Sequence, residues 1–255
     1  MESKRDSLLS RIINIEKPYF FVPVVVLISF LLFWIGLMFF YVTPLSQIYW
    51  YAFSVLISLL FAFSVYANPS FRSWKVYLGS IIFFYSMIIF IGAMPGYYMA
   101  KMLPQAVSQA NQTIVSIRTQ YRSVFSMAGA IFSNNVRIDA VSFVPFVGPF
   151  VLAMAIVNTS SVVWGLTFTE MFSNNPYWFV GPLAVIIAPD TFTEFSSYVL
   201  SLIGGLYLFR ALSSLSLPDE RNRSLVRAFI FLALSLVLLY LSALLEAYLI
   251  IRFGL

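Results

Sequence analysis

Residues 225–251, LVRAFIFLALSLVLLYLSALLEAYLII, decide how the whole chain is read. Apart from Arg227 near the start and Glu246 near the end, the stretch carries no charge. A helix needs about 20 apolar residues to cross the roughly 30 Å of bilayer hydrocarbon, at about 1.5 Å per residue. The rest of the sequence has the same character. Of 255 residues 61% are apolar and 10% charged, and the mean hydropathy is +0.90. Soluble domains carry about 45–50% apolar and about 25% charged residues. This chain cannot cover a water-facing surface, so its solvent is lipid. The expected fold class is all-α, a polytopic transmembrane helical bundle.

Two absences narrow the chemistry. With no Cys there is no disulfide, thiol nucleophile, thiolate metal site or cysteine-linked lipid. With no His there is no imidazole base or imidazole metal ligand. No catalytic residue, cofactor or metal site is therefore expected. The net charge of +5 suits contact with anionic lipid, and no basic run is dense enough to suggest nucleic-acid binding.

The chain divides into four parts. Residues 1–18 are polar, with Lys4, Arg5, Arg11 and Lys17, and form a cytoplasmic or interfacial segment. Residues 19–42 follow without a charge, long enough to remain as a span rather than be removed as a signal peptide. Spans at about 48–66 and 77–99 complete a three-span region, 19–100. Residues 101–138 are too polar to cross. The remainder, 139–255, holds spans at about 141–166 and 225–251, separated by a difficult stretch, 176–212, interrupted by Pro182, Pro189, Asp190 and Glu194.

Charge asymmetry decides that stretch, because cytoplasmic loops collect Lys and Arg. A single crossing leaves seven Lys/Arg inside and eight outside. Two crossings, about 171–188 and 192–210, give ten inside and five outside. The expectation is seven spans in the cell membrane with a cytoplasmic N-terminus.

Within 101–138, Val107, Ala110, Ile114, Ile117, Tyr121, Val124, Ala128 and Ile131 recur at alternating spacings of three and four. That heptad seam predicts an amphipathic external helix from about Pro104 to Ser133. It projects, pairs with a copy of itself or an external partner protein, lies on the membrane, or packs against its own bundle.

Charges inside a bilayer cost about 2.5–3.5 kcal/mol each on insertion scales, so their positions carry information. The seven-span topology brings Asn134, Asn135, Arg137, Asp139, Asp190, Glu194 and Glu246 to the outer side. Glu194 or Glu246 is expected to bond Arg137 or the amides of Asn134 and Asn135. Three roles fit: a polar clamp locking helices, a docking site for an external partner, or a carboxylate path for protons or cations. For the path, Asn158, Thr159, Ser160, Ser161 and Glu170 are the available further steps.

The second half of the chain resembles the stage II sporulation protein M family over about 131–251. The residues concerned are Ile131-Phe132-Ser133-Asn134-Asn135-Val136-Arg137-Ile138 with Phe143 and Gly148, and Asn158-Thr159 in place of an Asn-Gly step. Pro189-Asp190-Thr191-Phe192-Thr193-Glu194 is similar to a Pro-His-Gly-x-x-Glu element, with His and Gly replaced. Ala243-Leu244-Leu245-Glu246-Ala247 is similar to the closing Ala-x-x-Glu-Ala pattern. The resemblance implies a membrane scaffold, which in spore formers helps position separate cell-wall hydrolases outside the membrane.

The sequence thus leads to a non-enzymatic integral membrane scaffold that organises partners or remodels the membrane. The alternative is a transporter or channel subunit, in the manner of a macromolecular import or export apparatus, with membrane carboxylates lining the path. A lipid-modifying enzyme is a third reading, disfavoured by the residue inventory.

Overall fold

The computed structural model describes residues 44–66, 73–102, 120–213 and 218–253, with isolated helical positions at 28, 31, 32 and 35 and between 104 and 116. The N-terminal segment 1–18 and most of the first expected span, 19–42, lie outside the described residues. Every regular element among the described residues is helical. In lipid a backbone must satisfy its own polar groups, and a helix does so within one segment.

Helix α1 is Pro44–Tyr66 and α2 is Ser73–Ser86. A π turn, Met87–Ile91, links α2 to α3, Ala93–Met102. Then come α4, Val124–Ser142, and α5, Val147–Phe172. The short α6, Val180–Ile187, precedes α7, Pro189–Ser213, and the chain closes with the 36-residue α8, Pro218–Phe253. Of these, α5, α7 and α8 are long and apolar enough to cross a membrane.

Side-chain contacts fix the helix directions. Along α4 and α8, Phe143 meets Phe229 with ring centroids 6.3 Å apart and Phe132 meets Tyr240 at 5.6 Å. At the far end Met127, Ala128 and Ile131 cluster with Ala243 and Ala247. The two helices are therefore antiparallel. Helix α7 is antiparallel to α8 as well, with Tyr207 stacked on Phe231 at 5.6 Å and the Ser242 hydroxyl donating to the Asp190 carbonyl at 2.8 Å.

The Phe146 turn gathers one end of the bundle. Phe146 opens α5 with φ 65°, and its ring stacks on Tyr66 at 5.0 Å and meets Phe209 edge-on at 4.7 Å. The ends of α1, α4 and α7 and the start of α5 thus lie together. The π turn has a local cause: the indole N–H of Trp164 donates to the Ile88 carbonyl at 2.6 Å, and Met87 receives the amide of Gly92 at 2.8 Å. The outward face of α8, with Val226, Phe229, Ile230, Leu234, Val237 and Leu241 exposed, is as apolar as a lipid-facing surface requires.

Three expectations differ from this architecture. A single helix over 104–133 is not observed, because the chain leaves helical geometry at 121–123. There Ser123 is extended, with φ −117° and ψ 143°, and its side chain accepts the amide of Ser126 as an N-cap for α4. The second half of the heptad seam faces its own bundle: Tyr121, Val124, Ala128 and Ile131 pack on α8. The expected span at 141–166 is displaced to Val147–Phe172, since residues 143–146 form a turn. The expected span at 171–188 is not one helix: α5 ends at Phe172, and only the eight residues of α6 are helical before α7. Asn174, with φ 57°, lies in the intervening turn, where an Asn tolerates the left-handed region well.

Candidate functional site

The polar residues of α4, α7 and α8 meet on the faces these helices turn toward one another. Asp139 is fully buried, as are Ser201 of α7 and Ser235 of α8, each at 0% exposure. The Ser201 hydroxyl donates to the Asp139 main-chain carbonyl at 2.6 Å. The Ser235 hydroxyl donates to Asp139 Oδ2 at 2.9 Å, and the carbonyl of Leu232 competes for the same hydrogen at 2.8 Å. Asp139 Oδ1 is buried with no hydrogen-bond partner. Ser235 thus shares one hydrogen between the carboxylate and a backbone carbonyl, the Ser201 hydroxyl lies close enough to act on the carboxylate as well, and among the described residues no Lys or Arg is bonded to it.

One turn further along α7 sits Tyr198, buried at 6% exposure. Its hydroxyl donates to Glu194 Oε1 at 2.6 Å, a length typical of a hydroxyl bonded to a carboxylate. Tyr198 also lies within electrostatic reach of Asp139 of α4 and Glu246 of α8. Asp190 is in turn close enough to act on Glu194. Ser197 donates to the Glu194 carbonyl at 2.6 Å, and Ser196 shares a hydrogen bond of 2.7 Å with Tyr77 of α2.

Close backbone approach makes this convergence possible. A Cβ on Gly205 would lie 2.5 Å from the Phe143 carbonyl oxygen, and one on Gly204 would lie 2.9 Å from the Ala228 carbonyl oxygen. Only glycine lets α7 approach α4 and α8 so closely, and that approach brings Ser201 and Ser235 to Asp139.

Asp139, Asp190, Glu194 and Glu246 are thus brought into one electrostatic group. Asp139 lies beside the midpoint of α7, because α4 runs along α8 and brings it to Ser201. The expected pairing of Glu194 with Arg137 or the asparagines is replaced by the Tyr198 bond. Asn134 donates to Asn135 at 3.0 Å, in an exposed position, and Arg137 is exposed on α4.

The other suggested steps do not extend the group. Ser160 and Ser161 donate to their own helix, at the Val157 carbonyl, at 2.9 and 2.6 Å. Asn158 and Thr159 are exposed, and Glu170 accepts from Asn175 at 2.6 Å. Tyr198, Ser201 and Ser235 were not singled out from sequence. For Tyr198 and Ser201 the signal is helical spacing, since Asp190, Glu194, Ser197, Tyr198 and Ser201 share one face of α7; for Ser235 it is the spacing of Ser235, Ser242 and Glu246 along α8.

A buried carboxyl group held only by hydroxyls suits the binding and release of a small positive charge. Among the described residues no group of three or more carboxylates is arranged to hold a metal ion. Comparison with protein-family models, with curated proteins and with solved structures finds no match for the chain.

Proposed function

We propose that this chain is the membrane-embedded subunit of a transporter or channel, and that its carboxylate–hydroxyl group is the site through which a small cation or proton passes. The observation that carries this reading is the fully buried Asp139, with one oxygen unpartnered and the other sharing a serine hydrogen with a backbone carbonyl. An ionisable group held inside a membrane bundle is costly unless it is used, and such groups mark ion and proton paths.

A seven-crossing topology accompanies the proposal, with the crossings allotted differently from the sequence expectation. They are residues 19–42, α1, α2 through α3, α4, α5, α7 and α8, with α6 dipping into the same leaflet from which α7 starts. With the N-terminus cytoplasmic, the Phe146 turn and the α7–α8 connection face the cytoplasm. Ten Lys/Arg then fall on the cytoplasmic side and four outside, with Arg137 on the lower half of α4. With Arg137 inside the span and counted on neither side, the asymmetry again favours a cytoplasmic N-terminus and supports the reading.

A second reading, a scaffold, is favoured by a different observation. The bonds from Ser201 to the Asp139 carbonyl and from Ser242 to the Asp190 carbonyl run between helices to backbone oxygens, and they fasten the bundle. Reconstitution separates the two. Cation or proton flux into proteoliposomes that falls in Glu194→Gln and Glu246→Gln supports transport. No flux above empty vesicles, with an external partner retained on purification, supports the scaffold.

A further inference from the structure

We infer that Asp139 is a proton-binding site, so that the charge moved by this chain is a proton; the inference rests on the transport reading and names its ion. Hydrogen counting at the site carries it. Ser235 has one hydroxyl hydrogen, and two acceptors lie within reach of it: Asp139 Oδ2 at 2.9 Å and the Leu232 carbonyl at 2.8 Å. Among the described residues no hydrogen bond reaches Asp139 Oδ1, in a residue of 0% exposure, and the one hydroxyl hydrogen of Ser201 goes to the Asp139 carbonyl at 2.6 Å. The site therefore lacks hydrogens rather than acceptors.

A proton on Oδ2 supplies the missing hydrogen. One O–H bond forms, the carboxylate charge is discharged, and the new hydroxyl donates to Ser235 Oγ. The Ser235 hydrogen then turns to the Leu232 carbonyl, so each hydrogen has one acceptor. Oδ1 is left as a neutral carbonyl oxygen, whose burial without a partner costs far less than that of a charged carboxylate oxygen. On release, the Oδ2–H bond breaks, the proton leaves to water, and the Ser235 hydrogen returns to Oδ2. No oxidant, reductant or other reactant is needed.

The surrounding groups fit a proton rather than a fixed ion pair. On α7, Tyr198 lies within electrostatic reach of Asp139, Glu194 and Glu246 of α8, Asp190 lies within reach of Glu194, and Tyr77 of α2 meets α7 through Ser196. Arg137, on the same helix as Asp139, is exposed, and the one titratable group of α5 is Glu170, bonded to Asn175. Tyr198 stands one turn from both Glu194 and Ser201, next to the partly exposed carboxylate from which a proton would arrive.

Infrared difference spectra of the full chain in lipid, recorded as pH is lowered, read the proton directly. The expected result is a neutral-carboxyl C=O band that disappears in Asp139→Asn and moves to higher frequency in Ser235→Ala, where the acid loses its acceptor. Should Asp139→Asn fail to fold, the Ser235→Ala shift still decides. A wild-type spectrum with no such band, or a band unchanged in both variants, overturns the inference. The band without proton flux in vesicles sinks the transport reading alone, and sodium or potassium flux without the band sinks this inference alone.

Discussion

Asp139 and Ser235 lie 96 positions apart in sequence and meet at the buried centre of three helices, with the serine hydroxyl 2.9 Å from Oδ2. That contact joins α4 to α8, as the Ser201 contact joins α4 to α7. Hydrogen bonds between membrane helices contribute about 0.6 kcal/mol on average and up to about 1.7. Ser201→Ala and Ser235→Ala are each expected to destabilise the protein by roughly that range. Thermal unfolding in detergent, followed by tryptophan fluorescence, is the check; unchanged midpoints in both variants would remove the fastening role of the two serines.

Gly205 is expected to accept nothing larger without loss. Its Cβ would stand 2.5 Å from the Phe143 carbonyl oxygen, a backbone atom that has little room to retreat. Gly205→Val should cost about 1–3 kcal/mol through overpacking. Gly129, whose Cβ would meet nothing within 4 Å, provides the control: Gly129→Ala should leave the unfolding midpoint within error or raise it slightly.

Phe146 combines a strained backbone with a favourable ring. Its φ of 65° is unfavourable for a residue with a side chain, while its ring packs on Tyr66 and Phe209. Phe146→Ala loses the aromatic contacts, each about 0.5–1.5 kcal/mol, and keeps the strain. Phe146→Gly loses the same contacts and relieves a strain of order 1 kcal/mol. The glycine variant should therefore be the more stable of the two in a side-by-side melt. The reverse order would mean that the turn does not require a left-handed residue.

Because the chain has no cysteine, single cysteines report topology cleanly. Val144→Cys and Arg223→Cys, both at exposed positions, should react with a membrane-impermeant maleimide from the same side. Asn174→Cys and Arg122→Cys, also exposed, should react from the other. Labelling of Val144→Cys from the same side as Arg122→Cys would mean that α4 does not cross.

Fold class was legible from composition alone, since no soluble arrangement can hide so many apolar side chains. The boundaries around α4 were not. Asn134, Asn135, Arg137 and Asp139 lower its hydropathy below that of a span, yet Asp139 is buried against hydroxyls and Arg137 sits on an exposed face. Hydropathy averages over the faces of a helix, whereas tertiary contacts act on each face separately. The second half of the heptad seam packs on α8, while Val107, Ala110, Ile114 and Ile117 lie outside the described residues. The carboxylates of the site stood out because charge is rare in this chain. Tyr198, Ser201 and Ser235 did not, because tyrosine and serine are ordinary in membrane helices and their spacing from the acidic residues is a weak mark until the helices meet.

The most direct measurement of the central claim is proton movement through the purified chain. Proteoliposomes holding a pH-sensitive dye are given an inward proton gradient, with valinomycin and potassium to dissipate the opposing potential. The account predicts that the wild type and Glu170→Gln acidify the lumen faster than empty vesicles, and that Asp139→Asn does not. Wild-type vesicles no faster than empty ones, or Asp139→Asn as fast as the wild type, would contradict it.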